Sequence, residues 1–400
     1  LTQPTPARLL DKPRDGLPPV TGDDIDDAVA RLAAGTGPFG VDTERANEMH
    51  YSSRAYLIQI RREGTGTVLI DPLGIEDRMA GLAEVMRQEW ILHAAHQDLV
   101  CLAELGLRPT KVFDTEIAAL ILGYDKVSLQ AVCERALGWT LAKEYSRSDW
   151  AQRPLPLPML TYAALDVELL GELREVMTGE LKEAGRYEWF LEECEEVRLR
   201  KPPPPRQQPW RRSSRQAGIR DQRALAMLRE LWSARDELAR RRDLAPHKVI
   251  PNNVLAQLAK RKPRSRADVA NSSLLRTGSR RRDVDTWWRA IDIAWHLDER
   301  ALPERRFTEH RDPFPPTNEW EHKRPEAAHR WAILRPTVLE IADELAIRQE
   351  VVLKPRTQKI AAWNGWDSLP QLEAILAGDG ARPWQIELTA RRIHDAVAAG

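Results

Sequence analysis

Five residues in the first half of the chain have the types and spacing of a hydrolytic metal site. Asp42 and Glu44, in "FGVDTE", lie two apart, so on an extended strand their side chains project from the same face. Asp98 follows the apolar run "ILHA" and starts a helical pattern, where the positive end of the helix dipole suits an anion. Tyr162 and Asp166, in "YAALDVELL", lie four apart on a helix and stack on one side, with Leu169, Leu170 and Leu173 close by. Several carboxylates gathered in one dry pocket repel one another and require cations to neutralise them. Oxygen ligands alone select hard ions, Mg²⁺ or Mn²⁺, and two such ions about 4 Å apart form the clamp used in phosphodiester hydrolysis. Taken singly, each residue has a plainer reading. Asp42 and Asp98 read as cap or turn residues, Asp166 as the partner of an arginine, and Tyr162 as core with its hydroxyl in water.

The elements that must hold these residues read as a mixed α/β unit. Short apolar runs at 38–44, 55–61, 66–72 and 90–95 are bounded by turn residues, as strands are. The first three leave no room for a helix between them, which predicts antiparallel pairing through tight connections. Helical patterns follow at 75–87, 96–105, 115–123, 128–137 (opened by the capping residue Ser128) and 158–178. Asp114, in "VFDTEIAALIL", reads as the N-cap of the third helix and not as a fifth ligand. Strands first and helices afterwards imply a mixed sheet flanked by helices.

Composition bounds the rest. The 400 residues, 42% of them hydrophobic, suffice for two or three domains. No stretch approaches the roughly 18 to 20 apolar residues of a membrane span, and no secretory signal pattern opens the chain. Cys101, Cys133 and Cys194 are scattered and form no CxxC pair, which fits a reducing compartment. The expectation is a soluble, cytoplasmic monomer; the chain starts at Leu1, which leaves the true N-terminus open. The formal net charge of zero conceals an asymmetry, because residues 1–198 carry 34 acidic against 21 basic side chains and the remainder carries the inverse excess. Between the halves runs "RLRKPPPPRQQPWRRSSR" (198–215), a polyproline segment followed by arginines and thus a basic linker. The divisions expected are an extension at 1–19, a catalytic unit at 20–198, a linker at 199–215, a helical unit at 216–298, a linker at 299–325 and a second helical unit at 326–400.

The runs "FGVDTE", "HAAHQDL" and "YAALDV" together resemble the three exonuclease motifs of the DEDD superfamily, in the subclass with Tyr in the third motif. "SLQAVCERALG" (128–138) and "SDWAQRPL" (148–155) look like those of the ribonuclease D family in particular. The resemblance covers most of residues 38–178 and implies a ribonuclease H-like fold with 3′-to-5′ exonuclease activity releasing nucleoside 5′-monophosphates. Carried across by position, Asp42 would bridge two metal ions, Glu44 and Asp166 would complete the catalytic one, and Asp98 would hold the second, partly through water. Tyr162 with Glu44 would orient the attacking water. Gln59, His93, Trp150 and Arg153 are weaker candidates for contact with substrate. Their plainer readings are hydrogen bonding within the sheet for Gln59, core packing for His93 and its neighbour His96, and loop packing for Trp150 and Arg153.

The segment 224–270 resembles an HRDC domain (helicase and ribonuclease D C-terminal), a small helical bundle that binds nucleic acid. Its basic residues Arg240, Arg241, Arg242, Lys248, Lys260, Arg261, Lys262, Arg264 and Arg266 would engage phosphates, against the plainer reading of a solvated charged face. The segment 334–376 aligns with it by eye and looks like a second, divergent HRDC repeat. There "NGWDSLP" replaces the basic loop, which suggests packing against the catalytic unit, with Trp363, Trp366 and Trp384 as core or interdomain contacts. The implied activity is a two-metal-ion exoribonuclease trimming structured RNAs with 3′ tails, tRNA precursors among them. The alternatives are an exonuclease acting mainly on DNA, or a nucleic-acid-binding protein with an inactive nuclease fold.

Overall fold

The computed structural model of the protein describes residues 7–22, 24–142, 145, 148–202, 204–276, 281–307 and 312–399. Eight strands belong to the first half: β1 Arg8–Leu10, β2 Val20–Thr21, β3 Thr36–Arg45, β4 Ala55–Glu63, β5 Gly66–Ile70, β6 Glu89–Leu92, β7 Lys111–Asp114 and β8 Trp139–Leu141. Six of them form one mixed sheet in the order β2-β5-β4-β3-β6-β7, and β1 pairs with β8 apart from it. The expected antiparallel run β3, β4, β5 sits at its centre, and β2, β6 and β7 join in parallel.

The two-residue period of the strands sorts their side chains between two layers of helices. One layer contains α1 Ile25–Ala34, α2 Ala80–Val85 and α3 Asp98–Glu104. Phe39, Val41, Ile58 and Ile60 turn toward it and share a core with Leu32, Leu82 and Leu102. The other layer is built from α4 Thr115–Leu122, α5 Leu129–Leu137, α6 Leu157–Glu168, α7 Leu170–Glu183 and α8 Tyr187–Leu199. Leu57 and Leu69 pack there against Leu160, Ala163 and Ala164 of α6. Gly40, Asp42 and Glu44 are out of phase with Phe39 and Val41, so β3 aims its two acids at α6. Each fully buried Leu or Ile of these cores contributes about 1.5 to 3 kcal/mol, which fixes the strand register that aims them.

Four helical expectations change, the first being the helix expected at 75–87, which opens as a 3-10 turn, Glu76–Arg78, and continues as the shorter α2. The pattern at 158–178 is broken at Leu169 (φ −106°, ψ 0°), giving α6 and α7. No Gly or Pro causes the break. Glu168 is drawn inward, where it faces Arg61 at 3.1 Å and accepts the backbone N–H of Arg14 at 3.3 Å, while Leu169 and Leu170 both enter the core. The helix expected at 96–105 opens instead as a 3-10 turn, Ala95–Gln97, before α3. Ser128 has the extended backbone of an N-cap, but its hydroxyl makes no capping bond.

The second half is helical. Short α9 Arg211–Gln216 falls at the end of the expected linker and is anchored by Trp210, which is 4% exposed. After it come α10 Gln222–Arg242, α11 Pro246–Val249, α12 Asn252–Arg261, α13 Arg266–Ala270 and α14 Val284–His296, around a core that includes Leu228, Leu255 and Trp287. A second cluster holds α15 Trp320–Lys323, α16 Pro325–Leu345, α17 Gln349–Val352, α18 Pro355–Asn364, α19 Leu369–Gly378 and α20 Pro383–Ala399. Helices α10 to α13 start at 222, 246, 252 and 266, and α16 to α19 start at 325, 349, 355 and 369, a constant spacing of 103 residues. The left-handed residues that end the helices keep the same spacing, Asp243 with Ala346 and Lys262 with Gly365.

Both clusters dock on the sheet-bearing half through the same corner of the repeat, the end of the long helix. In the first, the Ala245 N–H donates to the Met49 carbonyl at 2.9 Å, and His50 meets Asp243 at 3.0 Å. In the second, Arg186 donates to the Leu345 carbonyl at 2.6 Å and Arg348 to the Asp125 carbonyl at 2.8 Å. Gly123 (φ 77°) is required there twice over, since it is left-handed and a β-carbon would run into the Ala346 carbonyl oxygen. Helix α20 adds Trp384, stacked on Trp189 at 4.9 Å, and Arg382, paired with Glu193 at 2.7 Å. Among the described residues no helix is long and apolar enough to cross a membrane.

Candidate active site

Strand β3 and helix α6 bring three of the predicted acids together. Carboxylate oxygens of Asp42, Glu44 and Asp166 all lie within 4.8 Å of one another. Asp98 stands beside this group, at the start of α3, and is itself 4% exposed. The Thr43 hydroxyl donates to its Oδ1 at 2.7 Å, and Arg45 approaches the same atom at 3.6 Å.

Burial and mutual repulsion both act on these carboxyls. Burial raises Asp42 well above the usual carboxylate range, and the charges of Asp98 and Asp166 raise it further. Glu44 is raised by burial and then by Asp42, Asp166 and Asp98. Asp98 is pushed up to about 6 by burial, with Arg45 and the Thr43 hydrogen bond opposing. Such a cluster holds more negative charge than its neighbours balance. An oxygen-only donor set of this kind, with three oxygens near one point, fits a divalent cation.

Tyr162 lies one turn before Asp166 on α6. Burial raises its phenol, and the charges of Asp166, Glu44 and Asp42 raise it further. The ring packs 6.2 Å from Trp150 and 6.4 Å from Tyr145. The strand register sets Gln59 of β4 opposite Asp42. Gln59 is fully buried, and neither atom of its amide finds a hydrogen-bond partner among the described residues.

The remaining candidates fare unequally. Trp150 is fully buried beneath Tyr162, so the expectation that it contacts substrate is corrected: its faces are covered by core. The Arg153 guanidinium is held by Asp71 at 2.8 Å and by the carbonyls of Trp150 and Tyr56, which makes it a tie between loop and sheet. His93 bonds Thr115 Oγ1 at 2.9 Å. Asp114 caps α4 and accepts the N–H groups of Ala94, Ala95, Glu116 and Ile117, so its oxygens are occupied. In the first helical cluster Arg240 pairs with Asp236, Arg241 with Glu237, Arg242 with Asp283, Lys262 with Asp221 and Arg266 with Asp285. Lys260 donates to the Ala217 carbonyl, Arg261 reaches Ser272, Arg264 covers Trp295, and Lys248 is exposed on α11. Sequence reasoning missed Thr43 and Arg45, which hold Asp98; their signal was their place inside the run "DTER".

Three segments match known families: residues 19–182 a family described as 3′-5′ exonuclease, 224–291 the HRDC domain, and 313–397 a family described as 3′ to 5′ exonuclease C-terminal domain. The second helical cluster thus matches a different family from the first despite the shared backbone spacing. Ribonuclease D of Jannaschia sp. (strain CCS1) is 31% identical over 275 residues, covering 65% of this chain and 69% of that protein. The structure of a protein from Bifidobacterium adolescentis covers 98% of this chain and 100% of its own, with TM-score 0.88 and 32% identity. Escherichia coli RNase D, described as an exoribonuclease involved in structured RNA processing, covers 95% of this chain and 98% of its own, with TM-score 0.67 and 26% identity. The exonuclease-family match spans all four acids and Tyr162, the relatives extend it through the helical half, and the chain accordingly belongs to the ribonuclease D family of 3′-5′ exoribonucleases.

Proposed function

We propose that this protein removes nucleotides one at a time from the 3′ end of RNA and releases nucleoside 5′-monophosphates. Its substrates are tRNA precursors and other small structured RNAs with single-stranded 3′ tails. The observation that carries the reading is the meeting of Asp42, Glu44 and Asp166 within 4.8 Å, from a strand and a helix, beside a buried Asp98 and a half-buried phenol. The catalytic unit is 20–198, and the helical units at 216–298 and 326–400 bind and position the RNA body.

Asp42, Glu44, Asp98 and Asp166 would hold two divalent ions, Mg²⁺ or Mn²⁺. Bound there, such ions supply charge neutralisation at the phosphate and a water acidic enough to attack it at neutral pH. The side chains do the positioning. Thr43 and Arg45 fix the Asp98 carboxylate, so its orientation does not depend on the ligand. Tyr162 keeps its proton at neutral pH and acts as a hydrogen-bond donor that, together with Glu44, would orient the attacking water toward the phosphate without accepting its proton. Trp150 and Leu160 close the apolar side of the site and hold the Tyr162 ring in place.

The test is digestion of a 3′-labelled hairpin RNA with a single-stranded tail, alongside a DNA of matched sequence, in Mg²⁺ or Mn²⁺. Wild type releases labelled 5′-monophosphate first. Asp42→Asn loses more than about 100-fold, since even the outer partners of metal ligands cost about 10- to 100-fold. Tyr162→Phe slows hydrolysis about 100-fold without altering thermal unfolding. Equal activity in Asp42→Asn sinks the mechanism, and a strong preference for DNA sinks the choice of substrate.

A further inference from the structure

A concentration of positive charge lies outside both the carboxylate site and the HRDC helices. Between Glu196 and Asp221 the sequence contains no acidic residue and eight Lys and Arg. Four of these, Arg206, Arg211, Arg212 and Arg215, converge with Gln208 and Phe307 on a cavity of about 230 Å³ whose lining, among the described residues, includes no carboxylate. Arg211 is the fixed member. It is 7% exposed, lies over the Trp210 ring at 4.4 Å, and donates to Gln208 at 2.8 Å and to the Glu304 carbonyl at 2.6 Å. Burial lowers its pKa, the Glu304 charge opposes, and the neighbouring Arg215 and Arg229 lower it further.

The other three arginines are exposed and, among the described residues, make no ion pair. That separates them from Arg240, Arg241, Arg242 and Arg266 of the HRDC cluster, each of which is paired with an Asp or Glu. Like charges are not held together without a reason, because their repulsion opposes folding. Guanidinium forks match the oxygens of a phosphate, and a phosphodiester neutralises the cluster.

The pocket also has a route to the acids. It shares Gln208 and Pro209 with an adjoining groove of about 650 Å³ lined by Trp210, Trp232, Arg229 and Arg240, with Asp236 and Glu237 beside Arg240. Arg240 lies over Tyr51 at 5.8 Å, the adjacent His50 reaches Asp149 at 3.3 Å, and Trp150 packs on Tyr162. A strand whose 3′ end enters at Tyr162 therefore meets, in its upstream direction, a groove with the aromatic faces of Trp210 and Trp232 and a balanced set of charges, which ends at the unpaired arginines.

We propose that Arg206, Arg211, Arg212 and Arg215 form a phosphate-binding pocket that anchors the RNA backbone upstream of the 3′ end under attack. This rests on the exoribonuclease reading above and adds a docking point that the HRDC helices do not supply. Arg211 holds the pocket together, so the test leaves it in place. Full-length wild type is compared with the triple variant Arg206→Ala/Arg212→Ala/Arg215→Ala and with a control triple of paired arginines outside both the pocket and the groove, Arg241→Ala/Arg266→Ala/Arg392→Ala. Binding to a labelled hairpin RNA with a 3′ tail is measured in EDTA across a salt series. Turnover in Mn²⁺ is measured on the hairpin and on a tetranucleotide.

The pocket triple is expected to lower the slope of log affinity against log salt by about 2, from three contacts of about 0.7 each. Its kcat/KM ratio, hairpin over tetranucleotide, falls about tenfold or more, and the control triple changes both less. An unchanged slope, equal losses on the two substrates, or a control effect as large as the pocket effect each overturns the proposal. If wild type cuts neither RNA, the exoribonuclease reading fails instead, and the salt slope still decides whether the arginines bind phosphate.

Discussion

Helices α10 to α13 and α16 to α19 keep the same spacing over more than forty residues, yet one buried carbonyl in each is satisfied by a different side chain. The carbonyl of Ile250, between α11 and α12, accepts from Arg235 of the long helix at 3.2 Å. Its counterpart 103 residues later, Leu353, accepts from Gln358 of the following helix at 2.6 Å. Val338 occupies the second repeat's equivalent of Arg235, and Leu255 the first repeat's equivalent of Gln358. The backbone geometry creates the need for a donor at that corner, and the sequence is free to supply it from either helix. Arg235 is the more awkward solution. It is 2% exposed, makes no ion pair among the described residues, and is lowered to about 10 by burial, with the Asp236 charge opposing and the Trp232 ring 4.0 Å from its guanidinium.

The outer surfaces diverge in the same way. The loop after α12 reads "KRKPRS" in the first cluster and "WNGWDS" at the equivalent positions in the second. Charge in the first keeps that edge solvated. Trp363 in the second folds back on Trp320 at 5.2 Å. The second cluster also has the more extensive hold on the sheet-bearing half, through Trp384, Arg382, Arg348 and Arg186. One scaffold thus serves an exposed, charged role and an adhesive one, because the repeat's core is indifferent to what its outward faces do.

Removing the second cluster's anchor should have the largest effect. Trp384→Ala deletes a side chain that is 1% exposed, stacked on Trp189 and bonded to Glu193, and should cost about 3 to 5 kcal/mol. Denaturant unfolding reads the loss, and limited proteolysis should show the α20 end released first. A loss under 1 kcal/mol would mean that the two clusters hold the sheet-bearing half equally weakly.

Next in size is the exchange of the two carbonyl solutions. Arg235→Val alone should cost about 1 to 3 kcal/mol by leaving the Ile250 carbonyl without its donor. Adding Leu255→Gln transplants the second repeat's arrangement and should recover about 1 kcal/mol or more. Strict additivity of the two changes would show that the corners are not equivalent. The smallest effect belongs to the first cluster's corner. His50→Ala removes the bridge between Asp243 at 3.0 Å and Asp149 at 3.3 Å and should cost about 1 kcal/mol in thermal unfolding. It should also make the HRDC end more accessible to protease, whereas a loss matching that of Trp384→Ala would erase the contrast between the clusters.

What the sequence determined by itself is whatever repeats over a few residues. The two-residue period of β3 put Asp42 and Glu44 on one face, the four-residue step of α6 stacked Tyr162 on Asp166, and Asp114 was legible as a cap because capping is a bond to residues two and three ahead. The proline run marked where the sheet-bearing half gives way to helices, and the two helical patterns beyond it could be aligned with one another by eye. Tertiary structure alone decided the rest. The break at Leu169 comes from Glu168 meeting Arg61, more than a hundred residues away in the chain. The burial of Trp150 depends on β4 and α6 closing over it. Which arginines are free to meet a phosphate turns on partners such as Asp283 for Arg242, 41 residues apart. Periodicity is a property of the local backbone and is written in adjacent residues. Burial and charge pairing are settled between residues that only the folded chain brings within a few ångströms.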